Sequence, residues 1–301
     1  MFKKFKLLFL LVPLFASGVE IETLNAKNDL VKLEIPTNPK RVAVADMAVL
    51  DTMDALGLGD RVVALTKAQK VYYLEKYNEN KDIANIGTVK EVDLEALMMS
   101  EPDVIFIGTR LVAQYDKLSQ IAPVVQLGID YKNGTFESVK KNIKTIAQIF
   151  EVNVEDKFDE FEKRLKAINQ KADGKSAVIA IVSNSNLNTL GNQRRCAMIG
   201  TDAGFTNVAA NAKTTHGNDS SFELVLKLDP EYIFVLDRDT AISASGAKLA
   251  KEVMDNAIIN KTKASQNGKI YYLNPSVWYL SEGGLTAMDL MLKDLEIALE
   301  K

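Results

Sequence analysis

The chain has 301 residues, of which 47% are hydrophobic and 26% charged, as in an ordinary soluble globular protein. This length exceeds that of one typical hydrophobic core, so two domains are expected. The formal net charge is −3. That balance argues against a nucleic-acid-binding protein, because phosphate binding requires a basic surface.

Residues 1–18 have the pattern of an export signal. Three lysines within the first six residues precede an apolar stretch at residues 7–15, and residues 16–18 form a small-residue cleavage site. The apolar stretch is about half of the roughly 20 residues that a membrane anchor needs. Cleavage on export is therefore expected.

Cys196 is the only cysteine, so no internal disulfide can form even in an oxidising compartment. The signal segment has no cysteine that could carry a lipid. We therefore expect a protein that is free in the periplasm, with Cys196 as a small buried apolar residue.

The first half of the chain alternates between predicted strands and helices after a polar lead-in at residues 19–35. Helices are expected at residues 47–58 and 135–150, where apolar side chains recur with helical spacing. Strands are expected at residues 41–46, 61–65 and 121–127. This alternation predicts a mostly parallel sheet that is covered by helices on both faces.

Residues 93–110 and 221–238 match each other without a gap, at a constant offset of 128. Each copy has the pattern of a short amphipathic helix, a turn in which a proline ends the helix, and a buried strand. An arginine follows each strand at its carboxyl end, the edge of a parallel sheet where ligands bind. The repeat predicts two similar α/β lobes that direct Arg110 and Arg238 into one cleft.

Residues 154–172 lie between the two copies and predict one long, highly charged helix with a thin apolar seam. At about 1.5 Å per residue, this helix would span nearly 30 Å. We interpret it as a stiff connector between lobes at residues 19–153 and 173–301; a surface helix of one lobe is the alternative. The second lobe is expected to contain strands at residues 176–183, 232–236 and 269–273 and a helix at residues 285–299. The predicted fold is two Rossmann-like α/β lobes with mostly parallel sheets, one bridging helix and a ligand cleft between the lobes.

Arginine is scarce in this sequence, with seven residues against 30 lysines. Both repeat copies nevertheless place an arginine at the equivalent loop position. The planar guanidinium group binds anions in a bidentate manner, so this placement favours an anionic ligand. The alternative is that these are ordinary surface arginines.

Three segments of the second half contain candidate binding residues: a Gly-containing loop at residues 190–196, a polar loop at 213–218, and a loop after a strand at 274–280. His216 is the only histidine, and a lone histidine is more often structural than a ligand. With one histidine and one cysteine, the chain cannot form an imidazole-rich zinc site. A metal ion would therefore arrive largely coordinated. Tyr279 could supply a phenolate to a hard trivalent ion, or it could simply pack beside Trp278.

Four short motifs, in order along the chain, resemble those of the periplasmic binding proteins of iron–siderophore and cobalamin importers. Within that family the chain is similar to binding proteins for ferric catecholate siderophores of the enterobactin and petrobactin type. The similarity covers essentially the whole mature chain. The motifs are Gly-Asn-Gln-Arg-Arg-Cys-Ala at residues 191–197, Thr-Thr-His-Gly at 214–217, Phe-Val-Leu-Asp-Arg at 234–238, and Asp-Asn-Ala to Trp-Tyr-Leu at 255–280.

The resemblance implies that His216 and Tyr279 coordinate Fe(III) directly. It also implies a set of residues around the anionic catecholates: Arg110, Arg195 (or its neighbour Arg194), Arg238 and Trp278. Fe(III) with two doubly deprotonated catecholates has a charge of about −1, which guanidinium groups in a partly desolvated cleft offset well. Two coordination positions then remain for one imidazole and one phenolate. A tetradentate siderophore is therefore expected to bind in preference to a hexadentate one.

Glu95 and Glu223 begin the equivalent helices of the two repeat copies. The resemblance implies that they dock onto arginines of an inner-membrane ABC permease, and that the chain is a monomeric binding protein, not an enzyme. Helix-dipole stabilisation is an alternative role for these glutamates. Two alternative functions are haem or cobalamin binding by the same scaffold, and an exported hydrolase with His216 as general base. The sequence has no Gly-x-Ser-x-Gly motif to support the hydrolase.

Overall fold

The computed structural model of the chain describes residues 18–132, 134–211, 218–219 and 222–300. The strands of the first half are β1 (Gly18–Leu24), β2 (Leu30–Pro36), β3 (Val42–Ala45), β4 (Val62–Leu65), β5 (Ala84–Asn85), β6 (Val104–Ile107) and β7 (Val124–Gln126). Its helices are α1 (Met47–Ala55), α2 (Glu75–Glu79), α3 (Leu94–Met99), α4 (Tyr115–Leu118) and α5 (Thr135–Phe150), followed by the connecting helix α6 (Glu155–Ala172).

The second half has the strands β8 (Ser176–Ser183), β9 (Asn186–Thr189), β10 (Thr206–Asn207), β11 (Asn218–Asp219), β12 (Tyr232–Asp237) and β13 (Ile270–Tyr272). Its helices are α7 (Met198–Thr201), α8 (Phe222–Leu228), α9 (Arg238–Ala241), α10 (Ala250–Met254), α11 (Lys263–Gln266), α12 (Pro275–Leu280) and α13 (Leu285–Leu299). Single-turn and short 3-10 helices lie at Gly59–Arg61, Tyr72–Leu74, Thr109–Gln114 and Ile259–Lys261.

The first lobe is built on a parallel sheet with the strand order β5-β4-β3-β6-β7. The central strands β3 and β6 consist of Val, Ala, Ile and Phe and are buried along their whole length. Helices cover both faces of the sheet, so these strands have no polar face, as expected of a parallel sheet. The predicted α/β class is confirmed.

The lead-in at residues 19–35 is a β-hairpin and not an irregular segment. Strands β1 and β2 pair antiparallel from Gly18↔Pro36 to Leu24↔Leu30. Ile21 and Thr23 are buried, while their neighbours alternate toward solvent. The Thr23 hydroxyl joins the hairpin to β7, since it accepts a hydrogen bond of 2.8 Å from the backbone N–H of Gln126.

The second lobe has a mixed sheet with the order β11-β9-β8-β12-β13, and β10 also pairs with β8. β8, β12 and β13 are parallel, whereas β8 and β9 form an antiparallel hairpin. β8 corresponds to β3 and β12 to β6, because each repeat strand pairs parallel with the strand that comes first along the chain in its own sheet.

The repeat in the sequence is also a repeat in the backbone. Glu101 and Asp229, which are equivalent in the two copies, both adopt left-handed conformations, with φ of 43° and 42°. Each ends its helix immediately before a proline, which cannot continue it. Leu97 and Val225 occupy equivalent helix positions, and both are fully buried.

Helix α6 connects the two sheets along the chain and packs on the second lobe. Its apolar seam, including Phe158 and Ile168, is buried in the same cluster as β12 and α13. Arg164 on its polar side pairs with Asp289 and, at 2.7 Å, with Glu296 of α13. Among the residues the structure describes, no helix is long and apolar enough to cross a membrane.

The predicted loop at residues 274–280 is largely the short helix α12, which Pro275 begins at its first position. Proline suits that position because its backbone lacks the N–H that would be unpaired there, and its φ is already helical. Helix α12 buries Trp278 in the core and places Tyr279 in the wall of the cleft between the lobes.

Candidate ligand-binding cleft

A cavity of about 260 Å³ lies at the carboxyl edge of the first sheet, where it faces α12 of the second lobe. Asp46 follows β3 there and Arg110 follows β6, while Arg195 and Tyr279 close the opposite side. A second cavity of about 360 Å³ shares Arg110 and Tyr279 with the first and adds Arg238. The two cavities form one cleft at the sheet edge where α/β folds bind ligands.

Three guanidinium groups surround the ring of Tyr279. The guanidinium carbons lie 5.6 Å from the ring centroid for Arg110, 4.3 Å for Arg195 and 5.8 Å for Arg238. Arg110 belongs to the first lobe and the other two to the second. The arginines that the repeat predicts to share one cleft therefore do meet, around a single phenol side chain.

Arg238 is positioned by the end of its strand. It is the first residue of α9, directly after β12, and Asp237 caps that helix through the N–H of Thr240. The Arg238 Nε donates a hydrogen bond of 3.1 Å to the Tyr279 hydroxyl oxygen. The Arg238 Nη1 lies 3.3 Å from a carboxylate oxygen of Asp239. Arg238 thereby fixes the phenol oxygen while its own charge is partly compensated.

Arg195 lies under the Tyr279 ring and is held by the backbone of α12. It donates hydrogen bonds to the carbonyls of Trp278 at 3.2 Å and Tyr279 at 2.5 Å. Its guanidinium also lies 3.6 Å from the carboxylate of Glu282. Arg195 lines the cleft, whereas Arg194 is not among the described lining residues of either cavity.

The position of Trp278 differs from the expectation that it contacts the ligand. Its side chain is fully buried, and the indole N–H donates a hydrogen bond of 2.8 Å to Asp294 of α13. Trp278 is not among the described residues that line either cavity, whereas its neighbour Tyr279 lines both. Trp278 instead anchors α12 to the core.

His216, the other expected metal ligand, lies outside the described residues. Among the residues that are described, no group of three or more His, Cys, Asp or Glu side chains could hold a metal ion. Tyr279 is positioned in the cleft as expected, but its pairing with His216 is left as a prediction.

Two carboxylates of the cleft, the part-buried Asp46 and the buried Glu282, were not predicted. Asp46 caps α1 by accepting from the N–H of Ala48 at 2.8 Å, and a Cβ at Gly108 would collide with its carboxylate. Burial raises the pKa of Asp46, while hydrogen bonds from the backbone and the charges of Arg110 and Arg195 oppose the shift. The rule that found Arg110, a polar residue just past a strand, would also have found Asp46.

Glu282 is the second unpredicted carboxylate, and it connects the two lobes. It accepts hydrogen bonds of 3.0 Å from the Cys196 backbone N–H and 3.0 Å from the hydroxyl of Tyr131, which follows β7 in the first lobe. Burial raises the pKa of Glu282, and Arg195 is the main opposing influence. Cys196 is buried as predicted, with a left-handed φ of 62°.

Glu95 and Glu223 both lie in the first turns of their helices, α3 and α8, and both are exposed. They occupy equivalent positions of the two lobes, so one surface feature is repeated on the outside of each lobe. Neither glutamate lines the cleft.

Known proteins with related sequences and folds agree with this architecture. Residues 42–277 match the periplasmic binding protein family. The petrobactin-binding protein YclQ of Bacillus subtilis is 34% identical over 292 residues, which cover 95% of this chain and 91% of that protein.

Two solved structures are similar over nearly the whole chain. The crystal structure of YclQ has a TM-score of 0.86 at 32% identity and covers 95% of this chain and 99% of its own. The periplasmic catecholate-siderophore binding protein VctP of Vibrio cholerae has a TM-score of 0.85 at 27% identity, covering 93% of this chain and 100% of its own. The resemblance carried by the four motifs is thereby confirmed, and the chain belongs to the periplasmic binding protein family.

Proposed function

We propose that this protein captures a ferric catecholate siderophore and delivers it to an ABC importer without chemical turnover. The observation that carries this proposal is the convergence of Arg110, Arg195 and Arg238 on the Tyr279 ring. Guanidinium groups offset the charge of an anionic chelate strongly in a partly desolvated cleft, and they also stack on aromatic catechol rings. The relatives described above bind petrobactin and catecholate siderophores, as their names state.

Tyr279 is proposed as one protein ligand of the bound Fe(III), and His216 as the other. Arg238 holds the phenol oxygen at 3.1 Å, so this oxygen has a fixed position at the cleft wall. A chelate with two catecholates leaves two coordination positions, which one phenolate and one imidazole fill. The cargo is therefore a tetradentate ferric siderophore, which the protein carries as a ligand and not as a permanent cofactor.

The cellular setting follows from the signal-like segment at residues 1–18 and from the family. The protein is proposed to act in the periplasm after cleavage of that segment, as a monomer. Glu95 and Glu223 are proposed to dock onto cationic residues of an inner-membrane ABC permease. Their exposure at equivalent positions on both lobes supports this role.

The proposal is tested by titrating the purified protein with a ferric bis-catecholate chelate and recording Trp278 emission and the ligand-to-metal absorption band. We expect saturable quenching at micromolar or lower concentrations. Arg110→Gln should weaken binding by about tenfold, equal to about 1.4 kcal/mol, because one partly desolvated cation is lost. Arg61→Gln is the matched control, since Arg61 lies beside Asp60 and does not line the cleft.

Absence of quenching and of any band shift in the wild-type protein would reject the siderophore function. Haem and cobalamin are titrated in parallel, because the same scaffold could hold either. Tighter binding of one of these than of the ferric chelate would assign the cleft to that ligand instead.

A further inference from the structure

We propose that Glu282 sets the charge selectivity of the cleft, so that ferric chelates of low negative charge bind in preference to more highly charged ones. This inference rests on the proposed function, which supplies an anionic metal chelate as the ligand. It assigns a specificity-determining role to a residue that lines the cleft beside Arg195.

Glu282 is fixed in place by contacts from both lobes. Its side chain is 2% exposed, yet it lines the cavity. It accepts from Tyr131 of the first lobe and from the backbone of Cys196 in the second. A carboxylate with two hydrogen-bond donors and a guanidinium partner cannot turn away from a ligand that enters the cleft. The carboxylate therefore has a fixed position in the site.

Two arginines of the cleft have a buried carboxylate close to them. Glu282 is 3.6 Å from Arg195, and Asp239 is 3.3 Å from Arg238. Asp46 lines the same cavity as Arg110. The charges of Arg195 and Arg238 are thus partly compensated before a ligand arrives, and the cleft is less positive than its arginines alone suggest.

A fixed negative charge repels a bound anion in proportion to the charge of that anion. For a chelate of about −3 the repulsion from Glu282 is three times that for a chelate of about −1. The arginines attract the more highly charged chelate in the same proportion, and the carboxylates of the cleft oppose that preference. Glu282 lines the cavity directly, and glutamine can keep the shape of its side chain, so its charge can be removed by itself.

The experiment compares wild type with Glu282→Gln. Dissociation constants are measured by Trp278 quenching for a ferric bis-catecholate of charge about −1 and a ferric tris-catecholate of charge about −3. The preference for the bis-catecholate should fall by about tenfold in the variant, because the repulsion that differs between the two ligands has been removed. Glu282→Asp keeps the charge and should retain the wild-type preference. Glu79→Gln, at an exposed position of α2, should also leave it unchanged.

Glu282→Gln leaves the part-buried Arg195 without its carboxylate, and this change could prevent folding. The double variant Arg195→Gln/Glu282→Gln is therefore compared with Arg195→Gln, and the same drop in preference is expected. An unchanged preference in folded Glu282→Gln, or in the double variant relative to Arg195→Gln, overturns the inference while leaving siderophore binding intact. Failure of the wild-type protein to bind either chelate would instead reject the proposed function.

Discussion

Tyr279 is the residue on which the arginines of the cleft converge. Its ring contacts three guanidinium groups, and its oxygen accepts a hydrogen bond from Arg238. Ring and oxygen therefore have separable roles. The ring lies within 6 Å of all three guanidinium groups, whereas the oxygen is the proposed donor to iron.

Tyr279→Phe separates these two roles, because it removes the oxygen and retains the ring. We expect the ligand-to-metal band of the bound ferric bis-catecholate to lose its protein-dependent shift. The chelate should still bind through the arginines, with an affinity about tenfold lower, or about 1.4 kcal/mol. Absorption spectra and quenching titrations measure the two effects. Tyr271→Phe is the matched control, since the Tyr271 hydroxyl is buried without a hydrogen-bond partner in the described structure. An unaltered band in Tyr279→Phe would show that the phenol does not touch the metal.

The sequence predicts individual cleft residues where local rules place them. Arg110 and Arg238 follow buried strands, and the strand-end rule therefore brings them to the cleft. Trp278 could not be placed this way, because its orientation depends on Asp294, which lies on another helix. Glu282 was missed for a similar reason: its partners Tyr131 and Cys196 are far from it in sequence. Long-range polar contacts leave no periodic pattern in a sequence.

At the scale of elements, the helices α3 and α8 repeat the same surface on both lobes. Glu95 and Glu223 are exposed in the first turn of each helix, while Leu97 and Val225 anchor the helices in the two cores. Charge on these turns can therefore change without disturbing the packing beneath them. This separation makes a clean test of docking possible.

Glu95→Lys combined with Glu223→Lys should abolish siderophore-dependent iron uptake in cells. The new lysines would face the cationic permease residues that we propose as docking partners, and the like charges would repel each other. Affinity for the soluble ferric chelate should stay within about twofold of wild type, since neither residue lines the cleft. Glu79→Lys, another exposed acidic residue, serves as the control. Normal uptake by the double variant would exclude these glutamates from docking.

Long elements were predicted more accurately than short ones. The predicted helices at residues 135–150 and 285–299 match α5 and α13, since an apolar stripe over about four turns has few alternatives. Helix α12 and the hairpin β1–β2 were missed. α12 has only six residues, and the alternation in the hairpin is weakened by exposed Leu30. In such short segments, contacts with the rest of the fold determine the structure.

Across the whole molecule, the two lobes are joined at the start of α13. Asp51 of α1, in the first lobe, accepts hydrogen bonds of 2.8 Å from the backbone N–H groups of Thr286 and Ala287. The hydroxyl of Tyr73 donates to the same carboxylate at 2.6 Å. One buried acid thus caps a helix of the opposite lobe, and the stability of the assembly should depend on its ionisation.

Burial raises the pKa of Asp51 from 3.8 to about 6 in the folded protein. The folded state therefore holds this proton more tightly than the unfolded state. The resulting stabilisation is full below about pH 4 and is lost as the pH rises through about 6.

Asp51→Asn lacks this dependence. The difference in free energy of unfolding, wild type minus variant, should thus be larger at about pH 4.5 than at about pH 7.5, by about 2 kcal/mol. Urea unfolding at both pH values measures it. Asp82→Asn, at an exposed position, should show no such change. An equal difference at the two pH values would show that the pKa of Asp51 is not raised on folding.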